Sequence, residues 1–219
     1  DISDWADARL RRYPQLREDY SMFKRSLEAE EMGAALPLVM GGRDHRAMQF
    51  INGVNRDAEQ SARNVSATFA RSDVSLAAWR AGRMKNPPEL GALRNATARL
   101  EALTEVRDSF RRAWGESIRE QLERVTDPAQ LGALVRQALT RAGRERIAAV
   151  LGPENGGRFI QQLTILDARN HGLSLGLSAG GGDNLALQFL RGVQRVGNTE
   201  ALEAFRSGWG HRIRQDLGG

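Results

Sequence analysis

Apolar residues recur at intervals of three and four along nearly the whole chain, and no stretch alternates between apolar and polar positions as a half-buried strand does. This spacing places apolar side chains on one face of a helix, which is buried when the helix packs. The pattern therefore predicts an all-α fold, a multi-helix array. The predicted helices cover residues 4–12, 15–33, 44–70, 73–85, 88–125, 128–140, 143–151, 154–169, 183–196 and 199–217.

The prolines lie where these helical patterns begin or end, because proline lacks the N–H that a helix interior needs. They are Pro14, Pro37, Pro87, Pro88, Pro128 and Pro153. Asp127 precedes one of them and is predicted to be the N-cap of the following helix. Gly152 precedes another, which predicts that one helix ends there and the next begins.

One predicted central helix, residues 88–125, is unusually long, about 57 Å at 1.5 Å per residue. Apolar residues form a nearly continuous stripe along it, and charges of both signs occupy its other faces. Mixed charge of this kind is typical of a solvated face, and contact with neighbouring subunits is the alternative.

The strongest signal in the sequence is an internal repeat. Residues 104–122 (TEVRDSFRRAWGESIREQL) and 199–217 (TEALEAFRSGWGHRIRQDL) share nine identities in 19 positions without a gap. The shared apolar residues step by four, so each copy predicts one buried helical stripe. The candidate packing and interface residues are Phe110, Trp114, Gly115, Ile118 and Leu122 in the first copy, and Phe205, Trp209, Gly210, Ile213 and Leu217 in the second.

Equivalent copies should pack in equivalent ways. We expect Trp114 and Trp209 both to be buried, each against a similar hydrophobic neighbour. Gly115 and Gly210 should let another helix come close, a gain that must exceed a helix cost of about 1 kcal/mol for each glycine.

The two copies should differ in how their helices begin. The second copy follows Gly197 and Asn198, so a new helix should start at Thr199 with Asn198 as its cap. The first copy follows an uninterrupted run rich in Ala and Leu, so Thr104 should lie inside a longer helix.

A second pair of matching segments has a different spacing. Residues 41–54 (GGRDHRAMQFINGV) and 180–193 (GGGDNLALQFLRGV) share eight of 14 positions and lie 139 residues apart rather than 95. The first half of the chain therefore holds about 44 extra residues between its two repeated segments. Trp79 and Gly82 in that insertion resemble a third, decayed copy. Repetition of this kind predicts internally repeated helical modules, each burying its stripe against its neighbours.

The glycine-rich residues 172–182 (GLSLGLSAGGG) match neither a phosphate-binding nor a dinucleotide-binding pattern. They predict a flexible connector, the most mobile internal segment of the chain. The predicted regions are an N-terminal helical region (1–86), the long helix with short helices and the first copy (87–171), and the connector with the second copy (172–219). The chain starts at Asp1 without a signal-peptide pattern, so we expect it to be a piece of a larger polypeptide.

Composition excludes several classes of protein. The chain has no cysteine, which excludes disulfide frameworks, thiol catalysis and zinc–thiolate sites. The longest strongly apolar run, residues 34–40, is far shorter than the roughly 20 residues that span a bilayer, so no transmembrane segment is predicted.

The charge is moderately basic. Lys and Arg total 32 against 27 Asp and Glu, a net charge of +5, which permits weak contact with DNA. All the basic residues except Lys24 and Lys85 are Arg. This bias is typical of a GC-rich genome, and arginine chosen to bind phosphate or carboxylate is the alternative.

Residues with catalytic potential form no recognisable motif. The three histidines, His45, His171 and His211, lack metal-ligand spacing, and no serine lies in a nucleophile elbow. We therefore predict no catalytic residue, no metal, no cofactor and no enzymatic activity.

The repeated helices of the form FRxxWGxxIRxxL resemble segments of very large virion proteins of tailed bacteriophages, including internal-core and DNA-ejection proteins. The segment RIAAVLGPENGGRFIQQL (146–163) before the glycine-rich stretch strengthens the resemblance, which covers residues 100–217. In those proteins the module continues with a helix of the form LGP…FI..L and then a turn of the form GGS-T. Leu151-Gly152-Pro153 and Phe159-Ile160 match that helix, whereas the glycine-rich stretch departs from that turn.

The resemblance implies a structural virion protein, a segment of an internal-core or DNA-ejection protein inside the phage particle. Such a protein acts through helix–helix contacts with copies of itself and with portal and tail proteins, and it brings no catalytic residues. Two alternatives stay open. One is a basic helical module that binds nucleic acid, and the other is a peptidoglycan hydrolase or an injected host-modifying domain.

Overall fold

The computed structural model describes residues 14–39, 44–83, 90–175 and 183–218, and these residues are almost entirely helical. The helices are α1 (Pro14–Ala35), α2 (Asp44–Arg80), α3 (Gly91–Arg124), α4 (Pro128–Ala138), α5 (Arg141–Leu151), α6 (Pro153–Ser174), α7 (Asp183–Val196) and α8 (Thr199–Gly218). No strand occurs in the described ranges, and the predicted all-α, multi-helix fold is confirmed. The predicted helix over 4–12 lies outside them.

Two predicted helices, 44–70 and 73–85, are one continuous helix, α2. Ser72 and Asp73 resemble a helix start, but the hydrogen bonds around them continue the helix. Ser75 Oγ donates to the carbonyl of Arg71 at 3.0 Å, and Arg71 Nε donates to the carbonyl of Ala67 at 3.3 Å. Side-chain bonds to the preceding turn satisfy these polar groups without ending the helix.

Helix α6 continues past its predicted end at residue 169, into the predicted glycine-rich connector. Gly172 is therefore helical and also buried. The connector prediction is wrong at this end, because a glycine that lets two helices meet looks the same in sequence as a glycine in a loop. Residues 176–182 of the predicted connector lie outside the described residues.

The predicted caps are confirmed. Asp127 accepts a hydrogen bond from the N–H of Ala129 at 2.9 Å at the start of α4. Asn198 accepts one from the N–H of Ala201 at 3.1 Å at the start of α8. Thr104 lies inside α3, as predicted for the first copy of the repeat.

The chain divides into two compact units. The first contains the described parts of residues 1–36 and 42–117, and the second contains those of residues 37–41 and 118–219. The prediction placed boundaries after residues 86 and 171, and neither is a boundary between these units. The structural boundary falls inside α3, whose unbroken helical pattern gives no sign of it.

The first unit contains a three-helix arrangement, called here the first module, formed by residues 14–36, 44–59 and 104–117. At its centre is Phe110 of α3, which is fully buried. Phe50 of α2 stacks on this ring, with centroids 6.1 Å apart and planes 13° apart. Gly33 of α1 lies so close to the carbonyl of Phe110 that a methyl group there would collide with it.

The second unit contains an equivalent arrangement, the second module, formed by α6, α7 and α8. Phe205 of α8 is 2% exposed at its centre. Phe189 of α7 stacks on Phe205 with centroids 6.4 Å apart and planes 12° apart. Gly172 of α6 lies against the carbonyl of Phe205 and leaves no room for a methyl group. Helices α4 and α5 pack on α6 in the same unit.

The two modules correspond helix by helix. Helices α1 and α6 both contain 22 residues and both begin with proline. Gly33 on α1 corresponds to Gly172 on α6, and Phe50 on α2 corresponds to Phe189 on α7. Both correspondences have the same offset of 139 residues. The internal repeat therefore has a structural counterpart, which begins earlier in the chain than the segments matched by sequence.

The first module carries an insertion between its second and third helices. In the second module Gly197 and Asn198 alone connect α7 to α8, and Gly197 has a φ of 72°, which favours glycine. In the first module residues 60–103 intervene, and we call them the arm. No described residue of α2 beyond Ser61 is buried, so the outer part of this helix packs loosely.

We expect Gly172→Ala to destabilise the protein by about 1–3 kcal/mol, because the added methyl group would force α6 away from α8. Gly157→Ala on the same helix is the control, since nothing lies within 4 Å of its Cβ position. Alanine there should stabilise by up to about 1 kcal/mol through helix propensity. Urea denaturation followed by circular dichroism measures both changes, and equal effects would contradict the close crossing.

Candidate functional site

The predicted packing residues of the first copy lie mostly in the interior. Phe110, Trp114 and Ile118 expose 0%, 1% and 2% of their surfaces. Leu122 is half-buried, and Gly115 is exposed. The four apolar residues therefore form the stripe that their four-residue spacing predicts.

The second copy does not repeat this burial. Phe205 is buried, but Trp209 exposes 39% and Leu217 exposes 74% of its surface. Ile213 is half-buried. The prediction that both tryptophans are buried against equivalent neighbours is therefore wrong, because Trp209 lies at the surface.

The relative lengths of α6 and α8 explain part of this difference. The two helices run parallel, since Gln161 donates to Glu200 at 2.6 Å near their starts and Gly172 meets Phe205 further along. Helix α8 continues past the end of α6, so the last positions of its stripe have no cover from that helix. We call these residues the α8 stripe: Trp209 and Leu217, which are exposed, and Ile213, which is half-buried.

The prediction that Gly115 and Gly210 admit a neighbouring helix is also wrong. Nothing lies within 4 Å of the Cβ position at Gly115, and at Gly210 only the guanidinium of Arg214 comes within 3.8 Å. The close approaches occur instead at Gly33 on α1, and at Gly172 on α6 together with Gly208 on α8, whose Cβ position would collide with the carbonyl of Arg169. Gly33 and Gly172 lie outside the 19-residue repeat, whereas Gly208 lies inside it at a position where the first copy has Ala113.

A further exposed apolar face lies on α1. Tyr20, Phe23 and Leu27 expose 39%, 60% and 51% of their surfaces. They follow one another at helical spacing, whereas Ala29 and Met32 lie on the buried side of the same helix. Helix α1 is therefore apolar on two sides, of which the first module covers one.

The second module also contains a buried charged cluster that the sequence did not indicate. Asp167 and His171 lie one turn apart on α6, and Arg136 reaches them from α4. Asp167 Oδ1 is 3.6 Å from Arg136 Nη1 and 3.7 Å from His171 Nε2. Within the described residues, no hydrogen bond reaches this oxygen.

Burial governs the protonation of this cluster. It raises the pKa of Asp167 to about 6, against an ordinary value of 3.8, although the positive charge of Arg136 acts in the opposite direction. Burial also lowers the pKa of His171, and the nearby Arg136 lowers it further. The His171 ring stacks on Phe189, with centroids 4.5 Å apart, so the cluster is joined to the aromatic centre of the module.

The cluster belongs to the second module alone. The residues 139 positions earlier are Glu28, which pairs at the surface with Arg46 at 3.6 Å, and Met32, which is buried. Asp167 exposes only 6% of its side chain, so a substrate has little access to it. We therefore interpret the cluster as a source of pH-dependent stability.

Sequence reasoning placed His171 beside a loop and so missed the cluster. The available signal was the i to i+4 spacing of Asp167 and His171 on an apolar helix. Among the described residues, no group of three or more His, Asp or Glu is arranged to hold a metal ion. None of the described helices has both the length and the apolar character needed to cross a bilayer.

Comparison of the chain with protein-family models, with curated protein sequences and with solved structures finds no match. Its function is therefore inferred from its own residues and their geometry.

We expect Asp167→Asn to raise the free energy of unfolding by about 1–3 kcal/mol at pH 8. The raised pKa means that the folded protein loses stability as the pH rises from about 4 through 6, where the carboxyl ionises more readily in the unfolded chain. A rise of about two units corresponds to at most about 3 kcal/mol. Urea denaturation of both proteins between pH 4 and 8 measures this difference.

The gain should shrink towards zero as the pH falls to 4, since the wild-type carboxyl is then protonated in the folded state. His171 is present in both proteins, and its lowered pKa changes stability with pH in the opposite direction. A loss of stability at pH 8 would mean that attraction to Arg136 outweighs burial. A gain independent of pH would mean that packing, not charge, is responsible.

Proposed function

We propose that the chain is a structural segment of a tailed-phage virion protein, from an internal-core or DNA-ejection polypeptide, that assembles through helix–helix contacts. Its partners are copies of itself together with portal and tail proteins, and its place is inside the particle. The single observation that carries the assembly role is the exposed α8 stripe. The virion assignment is supported by the resemblance of residues 100–217 to such proteins.

The α8 stripe has the chemistry of an interior surface. All three of its residues are identical to their equivalents in the first copy, which are Trp114, Ile118 and Leu122. There the tryptophan and isoleucine are 1% and 2% exposed. In the second copy Trp209 and Leu217 leave 39% and 74% of their surfaces open. Burying such side chains is favourable by about 25 cal/mol per Å², so a helix of another subunit would gain by covering them.

The exposed side of α1 supports the same role. Tyr20, Phe23 and Leu27 add a second apolar surface at helical spacing. Contiguous exposed apolar residues of this kind mark protein–protein interaction sites in many proteins. Helix α1 belongs to the first unit and α8 to the second.

We expect the 24.2 kDa chain to form oligomers in size-exclusion chromatography with light scattering. Trp209→Ser combined with Leu217→Ser should lower the mass, because it removes most of the apolar surface of the α8 stripe. Phe69→Ser combined with Val74→Ser is the control, since those arm side chains are 60% and 70% exposed and lie in the other unit.

A wild-type chain that stays monomeric at every concentration would contradict the assembly role. An equal loss of mass in the control would contradict the assignment of the α8 stripe as the contact. The virion assignment has its own test, which is mass spectrometry of purified particles of the phage that encodes the chain. Absence of its peptides there would overturn that assignment without touching the assembly role.

A further inference from the structure

The arm, residues 60–103, holds most of the net charge of the protein. It contains seven basic and three acidic residues, a balance of +4, while the whole chain has +5. The first module itself, residues 14–36, 44–59 and 104–117, has eight basic and eleven acidic residues, a balance of −3. Positive charge is therefore concentrated on an insertion of 44 residues.

The arginines of the arm are free to meet a ligand. All six, Arg63, Arg71, Arg80, Arg83, Arg94 and Arg99, are exposed. None of the six forms an ion pair with another described residue. In the remainder of the module Arg25 pairs with Asp57 at 2.8 Å and Arg111 with Asp108 at 3.5 Å, whereas the exposed Arg56 has no ion pair among the described residues.

The arm is not needed to close the three-helix arrangement. The second module has the same glycine crossing and the same stacked phenylalanines, with two residues in place of the arm. No described residue between Ser61 and Leu103 is buried, so the exposed arginines of this insertion are not required by the core. They are accessible to an external anion.

We propose that the α2 part of the arm, residues 60–80, binds the phosphate backbone of nucleic acid. Arg63 and Arg71 lie about 12 Å apart along α2 and about 80° apart around its axis, so one strand can reach both, and Arg80 lies about 14 Å further along on the side opposite Arg71. Duplex DNA has one negative charge per about 1.7 Å of its axis, so it can meet arginines at such intervals on any register. An acidic protein would instead have to place a carboxylate opposite each arginine. This proposal does not depend on the virion assignment or on the α8 stripe.

Two aromatic rings lie among these arginines. Phe69 and Trp79 are 60% and 40% exposed and lie in the same part of α2 as Arg63, Arg71 and Arg80, with Phe69 on nearly the same side of the helix as Arg80. Unpaired bases stack on exposed rings, whereas the bases of a duplex are already stacked. Both forms offer phosphates to the arginines, but only a single strand offers unstacked bases to Phe69. Substitution of Phe69 therefore tests whether the site binds single strands differently from duplex.

The test is fluorescence anisotropy with the full chain, a labelled single strand and a labelled duplex of about 20 nucleotides, at about 50–300 mM KCl. The arm variant is Arg63→Gln, Arg71→Gln and Arg80→Gln. The control is Arg119→Gln, Arg124→Gln and Arg141→Gln, which removes three exposed arginines that are paired with glutamates. Both triple variants lose the same charge, and circular dichroism verifies their folding.

We expect the arm variant to bind about tenfold or more weakly at low salt, with the slope of log affinity against log salt reduced by about 2–3. The control should change affinity by less than about threefold. Phe69→Ser should weaken binding of the single strand and leave duplex binding unchanged if the ring stacks on bases, and an equal effect on both would restrict the site to phosphate contacts.

Three results would overturn the proposal. The first is the absence of binding to either oligonucleotide at about 50 mM KCl. The second is an equal loss in the arm and control variants, which would mean that net charge alone drives binding. The third is binding to vesicles of anionic phospholipid without binding to oligonucleotides, which would make the arm a membrane contact.

Discussion

Each module depends on a helix crossing at which glycine replaces a side chain, on one helix in the first module (Gly33) and on both helices in the second (Gly172 and Gly208). Gly33 and Gly172 bring the backbone of the first helix against the carbonyl of a buried phenylalanine on the third. That approach places the third helix where its phenylalanine stacks on the ring of the second helix. The apolar stripes and the caps fit around this contact, since each helix can bury its stripe only where the crossing puts it.

Much of the fold could be predicted from sequence because its local signals agree with one another. Apolar spacing, prolines and the caps at Asp127 and Asn198 all concern neighbouring residues, and the structure keeps them. The break predicted inside α2 failed because Ser72 and Asp73 look the same in a cap and on an exposed helix face. The side-chain bond of Ser75 to the preceding turn satisfies its hydroxyl within a helix that stays continuous.

The candidate site was less predictable, because exposure depends on elements far away in the sequence. The exposure of Leu217 follows from the end of α6 at Ser174, which no residue near Leu217 reveals. Likewise, Asp167 and His171 are polar residues whose burial follows from the packing of α4, α7 and α8 around one helix face. The arginines of the arm are visible in the sequence, but only the folded structure shows that no carboxylate of a described residue pairs with them.

The comparison of the modules shows where this architecture can change during evolution. The connection between the second and third helices contains two residues in one module and the arm in the other. Closing a loop costs only about 0.6 kcal/mol for each doubling of its length, so a long insertion is tolerated there if the crossing is kept. A lineage could therefore add, exchange or discard an entire surface at this connection while the residues of the core stay as they are.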